Sequence, residues 1–149
     1  MANSFSYTPI QQYNMLIREF PLSKGQVRCG KLVWHGDFKP SPLSNTYRLK
    51  ITYNEGGLPK AFIESPKPLP LPEGADTLPH VYNYCDGKQQ LCLFLPQSVD
   101  WRRSMSIENT IVHWAVQWMF YYEMWHISGK WMGGGHGNWD AEIGKDKAK

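Results

Sequence analysis

The chain has 149 residues and a formal net charge of +3 at pH 7, which fits one domain able to bury about two-thirds of its unfolded surface. Its three cysteines, an odd number without the short paired spacings of metal sites, argue against a disulfide framework and a four-ligand zinc site. Basic residues are scattered apart from Arg102-Arg103 and the lysine-rich end, so the sequence shows no nucleic-acid footprint.

The N-terminal part of the chain predicts a helix without a preceding secretory signal. Residues 1–7 lack both a basic region and an apolar run, so we expect a cytoplasmic protein, in which a thiol stays reduced and reactive. Thr8-Pro9 is a good helix start, with Thr as the N-cap and Pro at the first helical position. Apolar residues then recur at helical spacing until Pro21 ends the helix.

Three alternating segments predict an antiparallel β-meander. Residues 26–35 alternate as one strand, and Cys29 within it is interpreted as a packing residue. Residues 47–53 alternate strictly, and a Gly56-Gly57 loop leads to a third strand over residues 60–64. Short connections between sequential strands favour antiparallel pairing.

The segment from Ser65 to Pro79 contains five prolines, which remove backbone donors and force extended conformations. We interpret it as a rigid flap that crosses the sheet toward Cys92. The alternative is a recognition peptide for a proline-binding partner.

Residues 106–127 form the longest apolar helical pattern of the chain. A stripe at steps of three and four comprises Ile107, Ile111, Trp114, Trp118, Tyr122 and Trp125. A transmembrane span is the alternative, but His113 and Glu123 interrupt the apolar run. Because a small domain can hardly bury so many aromatic side chains, we expect one face of the helix, including Tyr121 and Tyr122, to meet a partner.

The most informative segment is 80–96, which places Cys92 in a short apolar run just after a turn. Asp86-Gly87 is a strong turn signal, and Pro96 ends the run. A cysteine in this position is either a small buried hydrophobe or a displayed nucleophile. Cys85 is the rival nucleophile, but it precedes the turn and lacks leucines on both sides.

The order of these features resembles the ubiquitin-conjugating enzymes. Their pattern is a meander, a His-Pro-Asn motif, a Gly-containing turn, an active cysteine between aliphatic residues, a later Trp and a helix. Leu91-Cys92-Leu93 and Trp101 fall in those places. Segment 80–87, the aromatic helix and the ending 129–136 narrow the resemblance to small bacterial members found in CBASS anti-phage operons beside a cGAS-like nucleotidyltransferase. The resemblance covers roughly residues 8–137.

Two further site residues follow from this resemblance. The motif His corresponds to His80 and implies a structural role, with hydrogen bonds to backbone around the active loop; a general base is the alternative. Val81 replaces the motif Pro, and Asn83 lies one place later than the motif Asn. Asn83 either donates to the oxyanion or holds the turn through its own backbone.

Other chemistries find weaker support in the sequence. His80, Cys85, Cys92 and His136 could surround zinc, although none shows the short paired spacing of structural sites. The glycine-rich residues 133–137 lack the Lys-Ser/Thr pair and the helix of a phosphate-binding loop. We therefore predict no metal and no cofactor.

The resemblance implies an α+β, ubiquitin-conjugating-like fold with an N-terminal helix, an antiparallel β-meander, an active-site flap and a long aromatic helix. It implies one domain over residues 1–149 with a short flexible tail from about residue 138 to 149. Cys92 would accept the C-terminal carboxyl of the nucleotidyltransferase as a thioester, then transfer it to a protein lysine or hold it, which regulates anti-phage signalling.

Two other functions stay open. The first is a catalytically silent scaffold that binds the nucleotidyltransferase, and the second is a cysteine hydrolase that uses Cys92 and His80. Neither nucleic acid nor a membrane is an expected partner.

Overall fold

The computed structural model describes residues 5–74, 89–93 and 101–131. These residues form two helices and a four-stranded antiparallel sheet, so the fold class is α+β as predicted. His80, Asn83 and Cys85 lie outside the described residues, as does the predicted C-terminal tail.

Helix α1 spans Pro9–Glu19 and begins as the sequence predicts. The Thr8 hydroxyl accepts a hydrogen bond from the Gln11 backbone N–H, and the Gln11 side chain accepts one from the Thr8 N–H. This capping box satisfies two of the donors that a helix N-terminus leaves open. The buried face of α1 includes Gln12, whose amide bonds the carbonyl oxygen of Met105 at 2.9 Å and the N–H of Ile107 at 2.8 Å.

The sheet has the strand order β1-β2-β3-β4. Its strands are β1 (Lys24–Arg28), β2 (Lys31–Phe38), β3 (Tyr47–Asn54) and β4 (Lys60–Ser65). The predictions for β3 and β4 are confirmed. The prediction of one strand over residues 26–35 is wrong, because the chain reverses at Cys29-Gly30 and the two halves pair with each other.

The reversal between β1 and β2 is a two-residue turn. Arg28 pairs with Lys31, and the two residues between them have positive φ angles, 52° at Cys29 and 73° at Gly30. Such a turn matches the twist of the flanking strands. Cys29 is exposed at this turn, so its interpretation as a packing residue is wrong.

Helix α2 spans Ile111–Ser128 and begins five residues later than position 106, where the sequence predicts it. The residues before it form turns, in which the Thr110 hydroxyl donates to the Ser106 carbonyl at 2.7 Å and accepts from the Trp101 indole at 3.0 Å. Gly129 ends the helix in the left-handed conformation, with φ of 77°.

The aromatic residues of α2 lie largely inside the domain. Trp118, Tyr122 and Trp125 are buried together with residues of the sheet in one core. The Tyr122 ring stacks on Trp118 at 5.6 Å, and its hydroxyl donates to the carbonyl oxygen of Pro70. The expectation that Tyr122 lies on a partner surface is therefore wrong; the exposed large apolar side chains of the helix are Phe120, Met124 and Ile127.

Candidate active site around Cys92

A short extended segment, residues 89–93, lies along the outer edge of β4. The backbone N–H of Ile63 donates to the carbonyl of Gln89 at 3.1 Å, and the N–H of Leu91 donates to the carbonyl of Ala61 at 2.8 Å. Phe62 and Gln90 form the antiparallel bridge between these bonds. The backbone that leads into Cys92 is therefore fixed to the sheet.

The burial of this segment alternates from residue to residue. Leu91 and Leu93 are 3% and 5% exposed, whereas Cys92 between them is partly exposed. Successive side chains of an extended backbone lie on opposite sides. The two leucines anchor the segment in the core, and the Cys92 side chain lies on the other side.

Gln89 connects this segment to the proline-rich segment. Its side-chain oxygen accepts a hydrogen bond from the Leu69 N–H at 2.7 Å, and its side-chain nitrogen donates to the carbonyls of Ile63 and Pro66, both at 3.0 Å. Gln89 is 1% exposed, and Leu69 is buried beside it. One buried amide thus forms hydrogen bonds with three backbone groups of β4 and the proline-rich segment.

Gln89 was not predicted as a site residue, although the sequence contains a signal for it. Gln89, Leu91 and Leu93 recur at every second position, so a strand that buries the leucines also buries the glutamine. A buried glutamine requires hydrogen-bond partners. Backbone carbonyls at the end of a strand that runs into prolines are good candidates for these partners. The predicted apolar run began at Leu91, after the turn at Asp86-Gly87, and so left Gln89 outside it.

Trp101 is buried in the core. Its ring meets the ring of Tyr53 on β3 edge-on at 5.7 Å, and its indole N–H donates to Thr110 before α2. Trp101 therefore joins the sheet to the entry of the long helix.

Metal binding and membrane insertion are the two alternatives against which the sequence argues. Within residues 5–74, 89–93 and 101–131, no three His, Cys, Asp or Glu side chains are grouped as a metal site would require. The zinc alternative also involves His80, Cys85 and His136, which lie outside those ranges. In the same part of the chain, neither helix combines the length and the apolar character needed to cross a bilayer.

Residues 12–138 match the family model described as Type II CBASS E2 protein. The chain belongs to this family. The match runs from within α1, through the sheet and Cys92, past the end of α2, and it confirms the resemblance on which the sequence analysis relied. No curated protein matches the sequence. As a CBASS E2 protein, the chain has an E2-like role in an antiviral defence system of bacteria.

Proposed function

We propose that Cys92 carries the C-terminus of a CBASS cGAS-like nucleotidyltransferase as a thioester and transfers it to an amine. The observation that supports this function best is the placement of Cys92, partly exposed between two buried leucines on a segment fixed to β4. A carrier thiol must meet a large donor and later an acceptor, so it has to be accessible while its backbone stays fixed.

The proposed reaction has two acyl transfers. The Cys92 thiolate attacks the carbonyl carbon of an activated C-terminus, either an acyl adenylate or a thioester on an activating protein, and AMP or the activating thiolate leaves. An amine nitrogen, such as that of a lysine side chain, then attacks the new thioester; the C–S bond breaks, a C–N bond forms and the amine loses a proton. Thioester exchange is efficient when the attacking thiol has a pKa near the ambient pH.

The residues around Cys92 support this reaction because they hold the cysteine backbone in a fixed position. Gln89 fixes the start of the segment from inside the core, and Leu91 and Leu93 hold both flanks of the cysteine. A nucleophile whose backbone is held in this way approaches a carbonyl carbon with little loss of freedom. The E2-like family membership supports an acyl-carrier function over other uses of a cysteine.

Asn83 and His80 complete the proposal. Asn83 would donate its side-chain N–H to the oxyanion that forms as the amine attacks, an effect worth about 3 kcal/mol per donor in other enzymes. His80 would hold the loop around the active cysteine through hydrogen bonds to backbone groups.

A charging experiment tests this function. The protein is incubated with the nucleotidyltransferase and the other products of its operon, with and without ATP, and the products are separated without reductant. We expect a covalent adduct with the wild type, and with Cys85→Ala, but none with Cys92→Ala. A stable complex without any adduct would instead indicate the scaffold, and hydrolysis at equal rates with and without an added amine would indicate the hydrolase.

A further inference from the structure

A cleft of about 650 Å³ opens between the loop before β3, the proline-rich segment and the C-terminal turns of α2. Its lining combines apolar side chains, Pro66 and Pro70 among them, with polar ones that include His126. At its mouth Leu43 and Ile127 are 98% and 84% exposed. Exposed apolar side chains that lie together beside a cleft are typical of a surface that contacts another molecule.

One carboxylate, that of Glu123, lines this cleft. Its two oxygens accept hydrogen bonds from the hydroxyls of Ser44 and Tyr47, both at 2.6 Å. The Ser44 hydroxyl is itself bonded to that of Ser41 at 2.7 Å. The carboxylate is therefore held in one position, and each of its oxygens has a further lone pair for another donor.

Although His126 also lines the cleft, Glu123 forms no ion pair within the described part of the chain. The ion pairs there join His35 to Glu64 and Asp37 to Arg48. Burial and the adjacent Glu123 carboxylate raise the pKa of Tyr47 well above its ordinary value, so Tyr47 is a neutral donor at physiological pH. Ser44 is neutral as well, so the cleft carries a local negative charge although the whole chain has a net charge of +3.

We propose that this cleft is a docking site for a basic partner peptide. One arginine or lysine side chain of the peptide enters the cleft and donates to Glu123, and apolar residues beside it contact Leu43 and Ile127. Charge complementarity selects this occupant, because a fixed carboxylate beside apolar side chains binds a cation more strongly than the same group in bulk water. The site acts by binding alone and does not depend on the chemistry of Cys92.

The test uses a matched pair of peptides. An acetylated, amidated pentapeptide with arginine between two leucines is titrated into isotopically labelled protein, and its analogue carries citrulline, which has nearly the shape of arginine without the charge. We expect the arginine peptide to shift the backbone amide signals of residues 43–47 and 122–127. The citrulline peptide should bind at least about tenfold more weakly. Equal affinities for the two peptides, or shifts confined to other residues, would overturn the proposal.

Two variants locate the site. Glu123→Gln should weaken the arginine peptide about tenfold, whereas Glu19→Gln, an exposed carboxylate at the end of α1, should leave binding unchanged. Because Glu123→Gln also alters the bonds to Ser44 and Tyr47, a second pair changes only exposed residues. Ile127→Lys places a cation at the mouth and should weaken binding to a similar extent, whereas Leu22→Lys, at a residue 97% exposed and outside the cleft, should not. Wild-type affinity in Ile127→Lys would contradict the proposal, and Cys92→Ala should bind as the wild type does.

Discussion

The side-chain oxygen of Gln89 accepts a hydrogen bond from the backbone N–H of Leu69 at 2.7 Å, and both residues are buried. This bond joins two segments that are 20 residues apart in sequence. Through the same amide, the end of β4 and the proline-rich segment are held against the residues that lead into Cys92. The position of the proposed nucleophile therefore depends on a side chain three residues before it.

Replacement of Gln89 should damage both the fold and the proposed loading reaction. Gln89→Leu removes the three hydrogen bonds to backbone groups of Leu69, Ile63 and Pro66, which should lower the free energy of unfolding by about 3 kcal/mol. Urea denaturation measures this loss, and the rate of adduct formation at Cys92 measures the functional effect. Gln117→Leu, at an exposed position of α2, is the control. Equal small losses in the two variants would show that the Gln89 amide does not hold the segment.

A suitable substitution at Cys29 should stabilise the turn between β1 and β2. With φ of 52°, Cys29 adopts a left-handed conformation that asparagine accepts more readily than other non-glycine residues. We expect Cys29→Asn to raise the stability by up to about 1 kcal/mol and Cys29→Val to lower it. Thermal unfolding of both variants checks this, and equal melting temperatures would contradict the assigned turn.

Because its pKa differs between the folded and unfolded states, Tyr47 should make the free energy of unfolding fall at high pH. Burial, followed by the Glu123 hydrogen bond, raises the pKa of Tyr47 above its ordinary value in the folded state. Tyrosine in the unfolded chain loses its proton near pH 10, so above that pH the folded state binds more protons than the unfolded state. The contribution of Tyr47 to the free energy of unfolding is complete below about pH 10, and above that pH it declines by up to about 1.4 kcal/mol per pH unit.

The variant Tyr47→Phe isolates this contribution. It should lose about 1–3 kcal/mol at pH 7, because Glu123 loses one of its two donors, and its stability should fall less steeply between pH 10 and 11. Tyr53, whose pKa burial also raises, keeps its own pH dependence in both proteins. Parallel pH profiles for the wild type and Tyr47→Phe would contradict the assigned cause.

The sequence predicted those elements whose signals are local. The helix start at Thr8-Pro9 depends on capping, and β3 and β4 show alternation within a few residues, so each was found. The hairpin at Cys29 was missed because alternation continues through the turn and Cys-Gly lacks the familiar Asn-Gly signature. Helix α2 begins later than predicted because the residues before it form turns, which the bond between the Trp101 indole and the Thr110 hydroxyl, nine residues apart in sequence, helps to hold.

In the candidate site as well, the residues with local sequence signals could be predicted and the others could not. Cys92 could be selected from its leucine neighbours and the turn before it, and burial of those leucines agrees with that pattern. Gln89 and Glu123 could not be selected from the sequence, because their roles depend on backbone carbonyls and hydroxyls that the fold brings together. Tyr122 was assigned to a partner surface because the sequence does not show that Pro70 and Trp118 cover it.

Asn83 should affect one of the two proposed steps selectively. If its amide donates to the oxyanion formed during attack by the amine, Asn83→Ala should leave loading of Cys92 nearly intact and slow discharge about a hundredfold or more. Rapid-quench measurements of both steps on the same variant provide the comparison. Similar slowing of loading and discharge would instead indicate that Asn83 holds the turn.

Whether Cys92 is the acyl carrier can be decided by mapping the residue that is linked to the nucleotidyltransferase. The covalent adduct with the nucleotidyltransferase is formed in a Cys29→Asn background, digested without reductant and analysed by mass spectrometry. We expect a thioester between the C-terminal residue of the nucleotidyltransferase and the peptide that contains Cys92, cleaved by hydroxylamine and replaced by an ester in Cys92→Ser. An adduct on Cys85 that persists in Cys92→Ala would contradict this expectation.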